Sequence, residues 1–388
     1  MSKFISALSR QIRTIHSILT CKKHFLLTCI TCLVLGIQIA CTAQPYPLIS
    51  TEISKPPAEE SHPNRIPQTD QPISPGNLTK DQIATLSSLK KVDDYPLYTM
   101  VNHGTYQQSN AALLSDVPTK KNTSTAGMRS GWACSLFAAL GNENNHVFGR
   151  NFDWEYSPGL LLFTDPPDGY TSVSMVDMAY LGFDEKEVGR LSELTLTELT
   201  PLLDAPNWPF DGMNERGLAI GMAAVPSSPM LSDPQKPTIG SLQIMRQVLD
   251  QAGDIKEAIT ILEYYNIDFG GGPALHYLIA DSTGEAVLVE FFQGEMHIIP
   301  NDQPWHQATN FIISTYEDPQ GQCRRYDKIS DMMQTTSGNL NTQSAADLLS
   351  EVSQNNTQWS VLYHLQSGDI ELIMGRQFDS IHKFQLKP

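Results

Sequence analysis

A cysteine, an arginine and an aspartate sit close together in CSLFAALGNENNHVFGRNFDW, with Arg150 sixteen and Asp153 nineteen residues after Cys134. Two apolar runs, Cys134–Leu140 and Val147–Asp153, flank the turn-rich stretch Gly141–Asn145 and predict a β-hairpin. In a hairpin the start of the first strand lies beside the end of the second, so the thiol, guanidinium and carboxylate meet at one edge. A neighbouring guanidinium favours the thiolate, and a carboxylate holds an amine. The same spacing also fits a surface Arg–Asp pair beside a buried, inert cysteine.

Cysteine usage bears on that choice. Cys21, Cys29, Cys32 and Cys41 lie in or beside the N-terminal apolar run, where Cys29–Cys32 is a CxxC only by accident, and the body keeps just Cys134 and Cys323. A basic start (Lys3, Arg10, Arg13, Lys22, Lys23) runs into the sixteen residues Phe25–Ala40, followed by small residues through Ala43. This reads as a secretory signal, because sixteen residues of helix are short for a bilayer core of about 30 Å. An uncleaved anchor is the alternative. Cys41 stands where a lipid-carrying cysteine of the bacterial lipoprotein type would, although Gln38 occupies a Leu-like position of that pattern. An exported chain with two body cysteines has no disulfide framework, so either one thiol is kept for chemistry or the pair is structural.

Charge and composition exclude other classes. With 40% hydrophobic and 18% charged residues over 388 positions, the chain is neither disordered nor a polytopic membrane protein. Five of its 26 Lys/Arg fall in residues 1–40, which hold no acid, so the remainder carries 21 basic against 42 acidic residues. A sequence-independent grip on nucleic acid is not expected. The ten histidines show no HxxxH or HExxH spacing, and there is no GxxxxGK[ST] loop, so neither a metal nor a nucleotide cofactor is expected.

The elements that must position Cys134 follow from local signals. Gln44–Asn77, with eight prolines, reads as a tether, and Thr79 with Gln82 forms a capping box ahead of a helix. Tyr95–Tyr106 reads as extended and Pro118–Ser130 as a loop. Further strands are expected at Ser172–Leu181, Leu218–Val225, Ala274–Ala280, Ala286–Phe292, Met296–Ile299, Ala308–Ser314, Trp359–Leu365 and Asp369–Ile373, and helices at Ser241–Gln251, Asp254–Leu262, Arg325–Met333 and Ser344–Ser353. The fold class is α+β.

Within this frame the chain resembles the choloylglycine hydrolase and penicillin V acylase family of N-terminal-nucleophile hydrolases, with acid ceramidase and N-acylethanolamine amidase as distant relatives. GRNFDW (149–154) carries the likeness, followed in order by DGMNERGLAIG (211–221), ALHYLIAD (274–281), ATNF (308–311) and TQWSVLY (357–363). The resemblance implies a four-layer αββα sandwich, cleavage before Cys134, and a thiolate whose freed α-amino group is the general base. Asp153 would orient that amine, Arg150 would polarise the site, and Asn310 would stabilise the oxyanion. Two positions depart from the pattern. A second oxyanion residue falls at Ala224, which has no side-chain donor, so a backbone N–H would have to serve there. A later arginine is matched loosely by Arg324 or Arg325, of which Arg325 is the candidate. Cys323 reads as a bystander, and Asn214 as a turn residue. Leu161, Phe163, Met222 and Ala224 are candidates for contact with an acyl chain, with a core role as the plainer reading; Met230 shares that choice.

The expected organisation is a signal over 1–40, a Pro-rich tether and leading helix over 41–92, a small-subunit or propeptide segment over 93–133, and the catalytic domain over 134–388. The expected activity is exported hydrolysis of a small-molecule N-acyl amide. Acyl transfer from the same thioester, or a non-catalytic tethered binding domain, are the alternatives. The N-terminus offers a possible membrane tether, the product being secreted, periplasmic or lipid-anchored.

Overall fold

The computed structural model describes residues 78–106, 133–183, 188–226, 231–270 and 272–386, all within one unit spanning Asp70–Pro388. The signal, Cys41, the Pro-rich tether, the Pro118–Ser130 loop and Met230 lie outside these residues. The order begins with α1 (Lys80–Ser87), whose Thr79 and Gln82 form the expected reciprocal cap, then β1 (Lys90–Asp93) and β2 (Leu97–Val101). The hairpin follows as β3 (Ala133–Ala139) and β4 (Val147–Asp153). After it come β5 (Gly159–Thr164), β6 (Ser172–Asp177), β7 (Asp211–Asn214), β8 (Ala219–Val225), β9 (Thr238–Gly240), α2 (Gln243–Gln251), α3 (Ile255–Tyr264) and β10 (Asn266–Asp268). The chain continues through β11 (Ala274–Ala280), β12 (Ala286–Phe292), β13 (Glu295–Pro300), β14 (Trp305–Ala308), α4 (Arg324–Thr336), α5 (Thr342–Val352), β15 (Thr357–His364), β16 (Asp369–Met374) and β17 (His382–Gln385).

Two sheets face each other. The nine-stranded sheet has the order β1-β2-β5-β6-β7-β8-β11-β12-β13, and the six-stranded sheet β14-β3-β4-β15-β16-β17. Every adjacent pair in them is antiparallel except β2 with β5. Alternation along each strand assigns side chains to faces. A Cβ on Gly221 of β8 would lie 2.7 Å from Leu136 and 3.1 Å from Phe148, so these residues fill the gap between the sheets. On the outer side of the small sheet, Phe137, Val147, Leu362 and Ile373 pack with Ile329 and Met333 of α4 and Leu348 and Leu349 of α5. On the outer side of the large sheet, a Cβ on Gly212 would approach Leu249 of α2 at 2.9 Å. The result is helices, sheet, sheet, helices, which is the expected αββα sandwich. Gly149 of the GRNFDW run is explained by the same packing: the Phe137 ring lies 2.3 Å from where its Cβ would stand.

The apolar run Leu160–Phe163 forms the strand β5. Two expectations need correction. The segment Ala308–Ser314 is not a strand: pairing ends at Ala308, and the chain then turns through a 3-10 turn at Ile313–Thr315. The second half of Ser172–Leu181 is likewise a 3-10 turn, over Met178–Leu181. In both places the chain leaves the sheet at a side chain that bonds backbone N–H groups. Glu290 of β12 accepts from the N–H of Ile313 and Ser314, and Asp177 accepts from the N–H of Ala179.

Asp177 also yields a prediction. Burial pushes its carboxyl up to about 7, eased by the Ser157 hydroxyl and the Ala179 N–H. A folded-state pKa raised above the unfolded value means that stability is present at low pH and declines as pH rises through the folded pKa. Between pH 4 and pH 8 the wild type must therefore lose stability relative to Asp177→Asn, whose amide can keep the Ala179 bond. Urea unfolding of both proteins at the two pH values checks this, and a pH-independent difference between them would contradict it.

Candidate active site

The β3–β4 register brings Cys134 and Arg150 to one face at the expected edge and leaves the Asp153 side chain at that edge on the opposite face. Ala133 pairs with Asp153, Cys134 with Phe152 and Leu136 with Arg150. Cys134, Leu136, Phe148, Arg150 and Phe152 then share the inner face, whereas Asn151 points outward and donates to Leu349 O of α5. Cys134 is 1% exposed, and Nη2 of Arg150 lies 3.7 Å from its sulfur. Burial pushes the thiol above its ordinary range and Asp153 adds to that, while Arg150 and Arg325 pull it down.

Arg150 is itself wholly buried, which only a partner makes tolerable. That partner is Asp211 at the start of β7, bonded to Nη1. Asp211 also accepts from Tyr363 Oη at 2.6 Å and Trp359 Nε1 at 3.1 Å. On the other side, Nη2 donates to Met222 O at 3.1 Å. Sequence reasoning noticed the blocks containing Asp211, Trp359 and Tyr363 but gave these residues no role. Their only local signal was a set of polar or polar-tipped side chains inside otherwise apolar strands.

Asn310 lies in the turn just after β14. Its Oδ1 accepts from Cys134 N at 2.7 Å and from Arg325 Nη2 at 2.9 Å, and its Nδ2 donates to Ala224 O at 2.8 Å. The opposite amide orientation would set NH2 against two donors, so this one is dictated by its neighbours. One of its two amide hydrogens is thus committed to Ala224, whose carbonyl is used as an acceptor. Arg325, in the first turn of α4, reaches the Cys134 carbonyl and donates to Ser135 Oγ at 2.9 Å, whereas Arg324 beside it is exposed. The loosely matched arginine is therefore brought into the cluster.

Asp153 lies on the outward side, where its carboxylate accepts from Thr357 Oγ1 and from Gln354 Nε2 at 2.9 Å. Burial raises its pKa, and these two bonds, Arg325 and Arg150 oppose the rise. Gln354 and Thr357 are further members that the sequence did not single out. Asn214 is the expected turn residue: its Oδ1 accepts from the N–H groups of Arg216 and Leu218. Cys323 is a free thiol at the N-terminus of α4.

The acyl-contact candidates divide. Leu161 and Met222 are 0% and 1% exposed and belong to the core, the plainer of the two readings. Phe163 is half-buried and Ala224 is 5% exposed beside Asn310. Among the described residues no group of three or more His, Cys, Asp or Glu gathers in a way that could hold a metal.

A thiol beside the Arg150 guanidinium, in a residue whose carbonyl is held by Arg325 and whose main-chain nitrogen is held by a side-chain amide, suits nucleophilic attack on a carbonyl. The profile of the linear amide C-N hydrolases, choloylglycine hydrolase family, matches residues 134–340, starting at this cysteine. The chain belongs to that family and is a hydrolase of linear amide C–N bonds. Solved structures similar to it include a mutant conjugated bile acid hydrolase from Clostridium perfringens, at 16% identity over 65% of this chain and 92% of that one, with a TM-score of 0.48. Penicillin V acylase from Agrobacterium tumefaciens is similar at 15% identity over 65% of this chain and 86% of that one, with a TM-score of 0.45.

Proposed function

We propose that the protein is an exported amidase that cleaves small-molecule N-acyl amides through Cys134, after cutting itself at the Ala133–Cys134 bond. The observation that carries this reading is the placement of both reactive atoms of one residue. The Cys134 sulfur faces Arg150, and the Cys134 nitrogen faces the Asn310 amide oxygen. Self-cleavage begins when the sulfur attacks the Ala133 carbonyl carbon. The C–N bond breaks as the nitrogen takes up the thiol proton, leaving a thioester. Water then adds to the thioester, releasing the Ala133 carboxylate and regenerating the thiol.

The freed α-amino group, with an ordinary pKa of about 7.7 to 8.0, suits proton transfer near neutrality. Arg150 and Arg325 disfavour its protonated form, Asp153 favours it, and Asn310 fixes the nitrogen so that its lone pair can serve the thiol. In turnover the amine takes the thiol proton and passes it to the departing amine of the substrate. Water then hydrolyses the acyl-enzyme to the free acid. Acyl transfer to a second amine uses the same thioester.

Purified, processed protein incubated with a panel of N-acyl amides and followed by mass spectrometry tests the activity. Release of a free acid supports hydrolysis, and a new amide formed with added amine supports transfer. No turnover of any member by processed protein would favour a binding domain. The basic start and short apolar run support export, so material recovered outside the cytoplasm is expected to lack roughly residues 1–40. Intact mass checks this; a membrane-bound product still carrying Lys3–Lys23 would point to an anchor instead.

A further inference from the structure

The most heavily bonded side chain behind the site is Asp211, which neither touches Cys134 nor faces solvent. Its two oxygens receive Arg150 Nη1, Trp359 Nε1 and Tyr363 Oη, donors from two strands of the opposite sheet. The guanidinium it binds is fixed from other directions as well. The Phe152 ring lies 5.0 Å and the Trp359 ring 6.0 Å from its central carbon, and Met222 O takes Nη2. Beyond Met222 O, Nη2 lies within reach of two sulfurs, Cys134 Sγ at 3.7 Å and Met222 Sδ at 3.8 Å. We propose that Asp211 is a positioning residue for the amidase site: by holding one end of Arg150 it turns the other end onto the Cys134 sulfur and limits how much of the guanidinium charge reaches it.

Two physical consequences follow. A carboxylate on the far side of a guanidinium cancels much of its field, so Arg150 steadies a thiolate without trapping it as an unreactive ion pair. Removing the carboxylate charge leaves Arg150 unbalanced, which draws the thiol pKa down and lets the guanidinium turn. The other charged groups acting on the thiol are the freed Cys134 α-amino group, Asp153 of β4 and Arg325 of α4, and all three stay intact in every variant below.

The inference rests on Cys134 as the nucleophile, but its first readout needs no substrate. The rate of iodoacetamide alkylation of Cys134 is measured against pH in purified, processed protein, and peptide mass distinguishes Cys134 from Cys323. In Asp211→Asn the midpoint should fall by about one pH unit, with kcat lowered at least about tenfold and KM changed by less than about twofold. In an Arg150→Gln background the same substitution should move the midpoint by clearly less, since only the through-space loss of the carboxylate charge is left. An unchanged midpoint in folded Asp211→Asn overturns the proposal, as does an equal shift in both backgrounds. Should Asp211→Asn fail to fold, Tyr363→Phe decides, since it removes one hydrogen bond and keeps both charges. A kcat reduced about fivefold or more at nearly constant KM supports the proposal, and an unchanged kcat overturns it. Full activity in processed wild type whose Cys134 has been completely alkylated would instead remove the nucleophile reading while leaving the alkylation midpoints standing.

Discussion

Cys134→Ala is expected to remain one uncut chain after export, with no amide hydrolysis, whereas the wild type yields a fragment beginning at Cys134. An internal cysteine has its nitrogen locked in an amide, which is not basic, so the general-base role is closed until the Ala133–Cys134 bond breaks. Removal of the sulfur abolishes the acyl shift that breaks it. The two pieces should nevertheless stay together. β2 is an internal strand of the large sheet, paired in parallel with β5, and Tyr106 donates to the buried Asp250 of α2 at 2.7 Å. Tyr95 donates to Gln358 at 3.1 Å, and Asp93 pairs with His382 of β17, tying the preceding segment to both sheets. Denaturing gels should therefore show two bands and native mass spectrometry one species. N-terminal sequencing of active wild type decides the matter: a protein that hydrolyses an amide while wholly uncleaved would return Cys134 to an ordinary pairing of cysteine with a separate base.

The residues that were legible in the sequence are those whose signals are local. Thr79 and Gln82 announce a cap three residues apart, and the turn at Gly141–Asn145 fixes a hairpin whose register then puts Cys134 beside Phe152 and Leu136 beside Arg150. By contrast, β5 reads as four apolar residues in a row because it is covered on both faces, and a strand without alternation cannot be told from a buried helix segment or a pocket wall. The ATNF block was visible, but not its shape, since the turn after Ala308 is held by Glu290 from another strand. Long-range partners carry no spacing at all. Asp211 meets Arg150 across 61 positions, and Tyr363 meets Asp211 across 152, through two sheets whose stacking no local pattern encodes. The resemblance supplied Arg325 only loosely; the capture of the Cys134 carbonyl by its guanidinium depends on where α4 starts, which follows from packing of Ile329 and Met333 against the small sheet.

Asn310→Ala should lower kcat by about 100-fold or more while the protein still folds. The sequence resemblance gives Asn310 an oxyanion role, and the geometry adds another, because Oδ1 takes the hydrogen on the Cys134 nitrogen. The two roles separate by pH. Loss of an oxyanion donor reduces kcat by the same factor at every pH, since the donor does not titrate. Loss of the group that fixes the α-amine also changes the environment of the base, so the acid limb of the kcat profile should shift. Asn310→Asp sharpens the distinction. Its carboxylate still accepts from the nitrogen and pairs with Arg325, but it cannot donate to Ala224 O or to an oxyanion, and its negative charge favours the protonated amine. Its acid limb should therefore move to higher pH, with kcat reduced even on the plateau. Steady-state kinetics of both variants from pH 5 to 9, alongside thermal unfolding, gives the answer. An unchanged kcat in folded Asn310→Ala would mean that neither role belongs to Asn310 and that backbone N–H groups near Ala224 carry the oxyanion.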